Sequence, residues 1–228
     1  MHVQHHHELY LVVLSVIIAI FASYTALDMI NSISTSKGIG KRCWLLGGSL
    51  AMGVGIWSMH FIGMLAFSLP GIEIFYDIPL LLLSILVAIL ASMIALYIIS
   101  SRNPSALIYA VGSLVMGAAI SGMHYIGIAS MRMPVIIHWN YYLVVLSILI
   151  AIAASYVALF VSFKLREDVS IQGFIYRGFG GILLGFAISG MHYTAMSAMD
   201  FSLASVVLDY QNEVLATNGL ASAIIIGT

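Results

Sequence analysis

Charge is what this sequence has least of. Its 228 residues include 8 Lys and Arg and 9 Asp and Glu, while 62% of the chain is hydrophobic. A soluble globular chain is nearer half apolar and about a quarter charged. So few charges cannot cover a water-facing surface, and lipid is the expected solvent for most of the chain. The net charge of −1 offers nothing to a nucleic acid. Cysteine is nearly absent too. Cys43 stands alone, which excludes an internal disulfide, and its neighbours Lys41 and Arg42 point to a reducing, cytoplasmic position. No glycine-rich phosphate loop, zinc-type cysteine pairing or Ser/His/Asp grouping is visible.

Long apolar sequence is abundant. A membrane helix takes about 20 mostly apolar residues, and six stretches qualify: 8–31, 44–67, 79–101, 106–131, 141–164 and 174–199. The expected fold is an all-α polytopic helical bundle in the bilayer, a single domain over 1–228. A further apolar stretch begins near Leu215 and reads as the start of a seventh span. The first stretch lacks the basic n-region and small-residue cleavage site of a signal peptide, and its apolar run is too long. Lys and Arg are retained on the cytoplasmic side. Lys37, Lys41, Arg42, Arg102, Lys164, Arg166 and Arg177 follow the odd spans, and only Arg132 follows an even one. The N-terminus is therefore expected outside a bacterial inner membrane. Trp44 and Trp139 fall where the inner and outer aromatic belts are expected.

The spans repeat. Residues 9–27 read LYLVVLSVIIAIFASYTAL, 78–96 read IPLLLLSILVAILASMIAL and 141–159 read YYLVVLSILIAIAASYVAL. The even spans repeat as MGVGIWSMHFIGM from Met52, MGAAISGMHYIGI from Met116 and LGFAISGMHYTAM from Leu184. The unit is a helical hairpin made three times, over about 8–67, 79–131 and 141–199. Units of two spans keep one orientation, so their symmetry axis should lie along the membrane normal. Gly53, Gly117 and Gly185 recur before the histidines, where small residues let helices approach closely.

His60, His124 and His192 occupy one position in the three repeats, and no other histidine lies inside a span. They share a depth and can meet on the axis. Ionisable groups inside a membrane are costly and mark functional sites. Residues four and seven positions further on share a helical face with each histidine. These are Met64 and Phe67, Ile128 and Met131, and Met196 and Met199. Met59, Met123 and Met191 precede the histidines and point about 100° away. Imidazole with thioether favours copper, whereas zinc more often adds cysteine or carboxylate. Copper is the expected metal, with zinc and iron open. The competing reading is interhelical hydrogen bonding by the histidines and packing by the methionines.

Glu8, Asp77 and Asn140 align at the starts of the odd spans, as helix N-caps or as a polar rim over the site. Tyr24 and Tyr156 read as packing. Asp28 lies near the inner end of span 1. His2, His5, His6 and His7 form a tail able to collect metal outside.

The Met59-His60-Phe61, Met123-His124-Tyr125 and Met191-His192-Tyr193-Thr194 motifs, with Ala-Ser-Tyr-x-Ala-Leu at 22–27 and 154–159, resemble the MHYT-domain family of bacterial integral membrane sensor modules. The resemblance covers nearly the whole chain. It implies seven spans with motifs near the outer face, and a copper site sensing oxygen, carbon monoxide or nitric oxide. It also implies a partner or attached cytoplasmic domain that makes or degrades cyclic di-GMP. The resulting expectation is a non-catalytic sensor input module. The alternative is copper transport or delivery, and a weaker third is a redox enzyme using Tyr125 and Tyr193.

Overall fold

The computed structural model describes residues 2–3, 5–100, 105–166, 168, 170–203 and 214–216. Six helices dominate it: α1 Leu9–Thr35, α2 Gly38–Ala66, α3 Ile78–Ile99, α4 Ala106–Ala129, α5 Tyr141–Leu165 and α6 Ile171–Met196. All six are long and apolar enough to cross a membrane. Even the shortest, α3 with 22 residues, covers the roughly 30 Å of a hydrocarbon core at about 1.5 Å per residue. Each helix packs on the next, and α6 closes the ring against α1. Phe21, Leu50, Leu86, Leu114, Leu149 and Phe186, one from each helix, face outward and exposed, as a lipid-facing surface requires. The architecture is the all-α membrane bundle that composition indicates.

Small residues close the ring. A Cβ added to Gly53 would lie 2.6 Å from the Ile89 Cα, and one on Gly117 or Gly185 would lie 2.7 Å from the Ile152 or Ile20 Cα. Each even helix thus touches the odd helix of the following repeat, backbone against side-chain-free backbone. The third repeat meets the first in the same way, which completes a pseudo-threefold barrel.

Within each repeat a second device recurs. The backbone N–H groups of Glu8, Asp77 and Asn140 donate to the carbonyls of Ala66, Ser130 and Ala198, all at 2.8 Å. The start of each odd helix is thereby tied to the end of its own even helix. Two of the three aligned residues also cap: Asp77 accepts from the Leu80 N–H, and Asn140 from those of Tyr142 and Leu143, while the Glu8 side chain makes no cap bond.

The two ends differ. At the basic end, extended Ser36 and Lys37 join α1 to α2. At the histidine end the connections are extended: β1 His2–Val3, β2 His6–His7, β3 Phe67–Ser68, β4 Phe75–Asp77, β5 Met131–Arg132, β6 Val135–Trp139, β7 Met199–Leu203 and β8 Val214–Ala216. They pair in the orders β1-β7-β6, β2-β3 and β5-β4-β8. Helical periodicity gives no sign of this strand cap, because its segments are short and lie outside the helices. Helix ends shift as well: α2 begins at Gly38 rather than residue 44, and α4 and α6 stop at Ala129 and Met196. The predicted seventh span lies outside the described residues, except for Leu215 and Ala216 in β8.

Candidate metal centre

α2, α4 and α6 run in the same direction, and each carries its histidine in the last two turns. His60, His124 and His192 meet on the barrel axis, and all three are buried. Their Nδ1 atoms form a nearly equilateral triangle: 3.1 Å between His124 and His60, 3.2 Å between His60 and His192 and 3.2 Å between His192 and His124. The rings stand edge to face, with interplanar angles of 67–89°.

Hydrogen bonding alone does not satisfy this triangle. A ring nitrogen is either a donor or an acceptor. With three mutually adjacent nitrogens, at least one pair must set like against like. A cation at the centre resolves this, because three lone pairs then converge on one charge. The centre lies about 1.8 Å from each nitrogen, so an ion slightly off the plane reaches the roughly 2.0–2.1 Å of a zinc–imidazole bond. The donor set fits a three-histidine metal site.

Binding through Nδ1 leaves Nε2 to carry the proton. The three Nε2 atoms are buried and make no regular hydrogen bond, although the Gly63 backbone is placed to accept one from His192. Two glycines make room for them. A Cβ on Gly127 would collide with His60 Nε2, and one on Gly63 with His192 Nε2. Each lies three residues after a histidine of another repeat. The third repeat carries Ala195 at that position.

All seven candidate methionine ligands are buried. Met64, Met123, Met131, Met196 and Met199 share one apolar cluster with Phe61, Phe67 and Phe201 at the histidine end. Met191 packs elsewhere, against Ile120 and Ala151, and Met59 is a buried residue of α2. Phe67, Met131 and Met199 do not share a helical face with the histidines, because each helix has ended and the chain has entered β3, β5 or β7. Met133 joins the same cluster from beyond α4, where helical spacing could not point to it.

The aromatic after each histidine has a definite partner. Tyr193 bonds Ser15 and Tyr125 bonds Ser147, each at 2.7 Å. Each serine donates to the carbonyl three residues earlier, Val12 or Val144, so the tyrosine hydroxyl is the donor to the serine. Phe61 has no hydroxyl. In its place Trp57, stacked on Phe61 with ring centroids 5.3 Å apart, donates Nε1–H to Ser84 at 2.9 Å. Ser15, Ser84 and Ser147 are one repeat position and are fully buried. The shared element is therefore a bond from each even helix to the next odd helix, with tyrosine as one way to make it. The serines stand in the repeated runs, but identical small polar residues in apolar helices carry no signal of their own.

Among the remaining candidates, Tyr24 packs on Phe174 and Tyr156 is exposed. Asp28 pairs with Arg177 across α1 and α6, Nε to Oδ1 3.5 Å. At the histidine end, His7 meets Phe67 and Tyr193 edge to face. Burial, then the nearby His5, holds the His7 imidazole below the ordinary histidine range.

Six membrane-length helices closed into a threefold ring around buried histidines define a multi-pass membrane protein. The chain belongs to the MHYT family, described as a bacterial signalling protein N-terminal repeat. The family matches residues 53–112, 117–171 and 185–226, each beginning near the close-approach glycine of an even helix. Over 195 residues the chain is 47% identical to the bifunctional diguanylate cyclase/cyclic di-GMP phosphodiesterase MucR of Pseudomonas aeruginosa, covering 86% of this chain and 28% of MucR. It is 40% identical over 192 residues to the signaling protein YkoW of Bacillus subtilis, covering 84% and 24%. It is 36% identical over 193 residues to the cyclic di-GMP phosphodiesterase NbdA of P. aeruginosa, covering 85% and 24%. The chain thus spans about a quarter of the length of these relatives. No solved structure matches.

Proposed function

We propose that this membrane module is a non-catalytic sensor input whose histidine triad holds copper. His60, His124 and His192 are the ligands, and the surrounding methionines supply a soft, dry environment suited to Cu(I). The observation that carries the reading is the convergence of three Nδ1 atoms that cannot satisfy one another. The triad faces the periplasm with the N-terminus, and the basic end faces the cytoplasm. A diatomic gas such as oxygen, carbon monoxide or nitric oxide, or copper itself, is the signal. It must favour one of two helix arrangements. The output is a cyclic di-GMP-type domain, as the names of MucR and NbdA indicate for those proteins.

Copper transport is less well supported. Beyond the triad, toward the basic end, the axis is lined by apolar residues and serines, with Met52 and Met116 as its thioethers and, among the described residues, no imidazole or carboxylate.

The test is metal content of the purified protein by elemental analysis, with His60→Ala, His124→Ala, His192→Ala and their pairs. The expected result is a single copper per chain, mostly lost in each single variant, with little further loss in the pairs. Stepwise losses of a third each would mean three separate sites. Unchanged copper in every variant, or none in the parent protein, would end the copper reading.

A further inference from the structure

Among the described residues, the triad has no open face. The histidine side chains are fully enclosed, with Phe67, Phe201 and the buried methionines packed at their end of the bundle. An ion from the outer water must cross this cap, and the cap carries imidazoles of its own. β2 pairs with β3, setting His6 opposite Ser68 and His7 opposite Phe67. Alternation along the strand then turns His5 and His7 toward the bundle and His6 away. His6 is exposed, while His5 and His7 are half-buried. The His5 and His7 rings meet edge to face at 5.5 Å. His5 also contacts Phe67 and Phe201, and His7 contacts Phe67 and Tyr193. The His7 Nε2 is buried with no hydrogen-bond partner. Tyr193 in turn packs against His192, ring centroids 4.8 Å apart.

We propose that His5 and His7 form a receiving site through which the metal enters the triad. This rests on the triad being a copper site. His5 and His7 are a donor pair at the edge of the outer water, and the unpartnered His7 Nε2 is the donor closer to the triad. Met64, Met196 and Met199, in the cluster against which both imidazoles pack, are the intermediate thioethers. The ion keeps its oxidation state throughout. It sheds water at His5 and His7, then exchanges imidazole for thioether and thioether for imidazole. The function is kinetic: the pair governs how fast the triad fills and leaves its final occupancy unchanged.

The experiment follows copper uptake by the metal-free full chain in lipid nanodiscs. Cu(I) is supplied as its bicinchoninate complex, and copper per protein is read over time and at the end point. His7→Ala should load several-fold more slowly than the parent protein and should reach the parent end point. His5→Ala should be slowed less, and His6→Ala not at all. Parent-like loading by His7→Ala overturns the proposal and leaves the triad reading intact. A lowered end point in His7→Ala also overturns it, since His7 would then be a resident ligand. If the parent protein takes up no copper, the triad reading fails first and this proposal falls with it.

Discussion

At the histidine end of the axis, α2, α4 and α6 bring three imidazole nitrogens within 3.2 Å of one another. One helical turn toward the basic end, the same helices place Ile56, Ile120 and Ile188, and a further turn on, Met52, Met116 and Leu184. These rings line a cavity of about 40 Å³ that continues to Leu27, Leu96 and Leu159. That is room for water by size, yet water needs two to four polar partners, and the lining supplies little beyond Ser23, Ser155 and Ser162. One threefold repeat thus builds a polar focus and a dry chamber a single turn apart. Repetition multiplies whatever stands at a position: three histidines become a cluster, and three isoleucines become a hydrophobic wall. The polar half is specific because its side chains must aim. The apolar half only has to fill space.

That contrast is open to direct attack. The largest effect is expected at Gly127, where an added Cβ collides with His60 Nε2. Gly127→Ala should push the imidazole out of the triangle and lower copper affinity by about 10–100-fold, as lost support of a ligand does elsewhere. Overpacking should also cost about 1–3 kcal/mol of stability. Gly122 has open space at its Cβ, and Gly122→Ala should leave copper unchanged. Equal copper binding by both variants would show that ring placement does not matter.

In the dry half, Leu159→Ala should enlarge the chamber. The cost should lie near about 2 kcal/mol, the low end for such truncations, because lipid leaves packing rather than water exclusion as the driving force. Copper content should not move. Copper loss comparable with that of the triad variants would mean the halves are not separable.

Much of this division is legible in the chain. Six spans, three repeats and a common histidine depth follow from hydropathy and self-similarity. The close-approach role of Gly53, Gly117 and Gly185 follows from their size. Other features depend on what the chain does where periodicity stops. Met131 and Met199 lie in strands because α4 and α6 end early, so a helical wheel misplaces them. The strand cap is built from short segments whose partners are remote in sequence, such as His6 with Ser68. The replacement of a tyrosine bond by Trp57 is invisible to a motif, since the tryptophan that bonds Ser84 stands four residues before the phenylalanine it stacks on.

The smallest effect tests whether the cap itself matters to the folded state. Asp77 ties β4 to β5 through Arg132, Oδ2 to Nη2 2.6 Å. Hydrogen bonding from Arg132 holds its carboxyl below the usual aspartate range. A carboxyl depressed in the folded state contributes stability above its unfolded pKa of about 3.9, and loses it as pH falls through the lower folded value. Both partners are partly exposed, 42% for Arg132 and 20% for Asp77, so water and salt screen the pair. Arg132→Ala should therefore cost about 0–1 kcal/mol at neutral pH. The gap between variant and parent should shrink on acidification below about pH 4, near the unfolded aspartate pKa. Thermal unfolding of both proteins in nanodiscs across that pH range is the measurement. A gap that stays unchanged on acidification would show that Arg132 supports the cap by packing rather than through the Asp77 carboxylate.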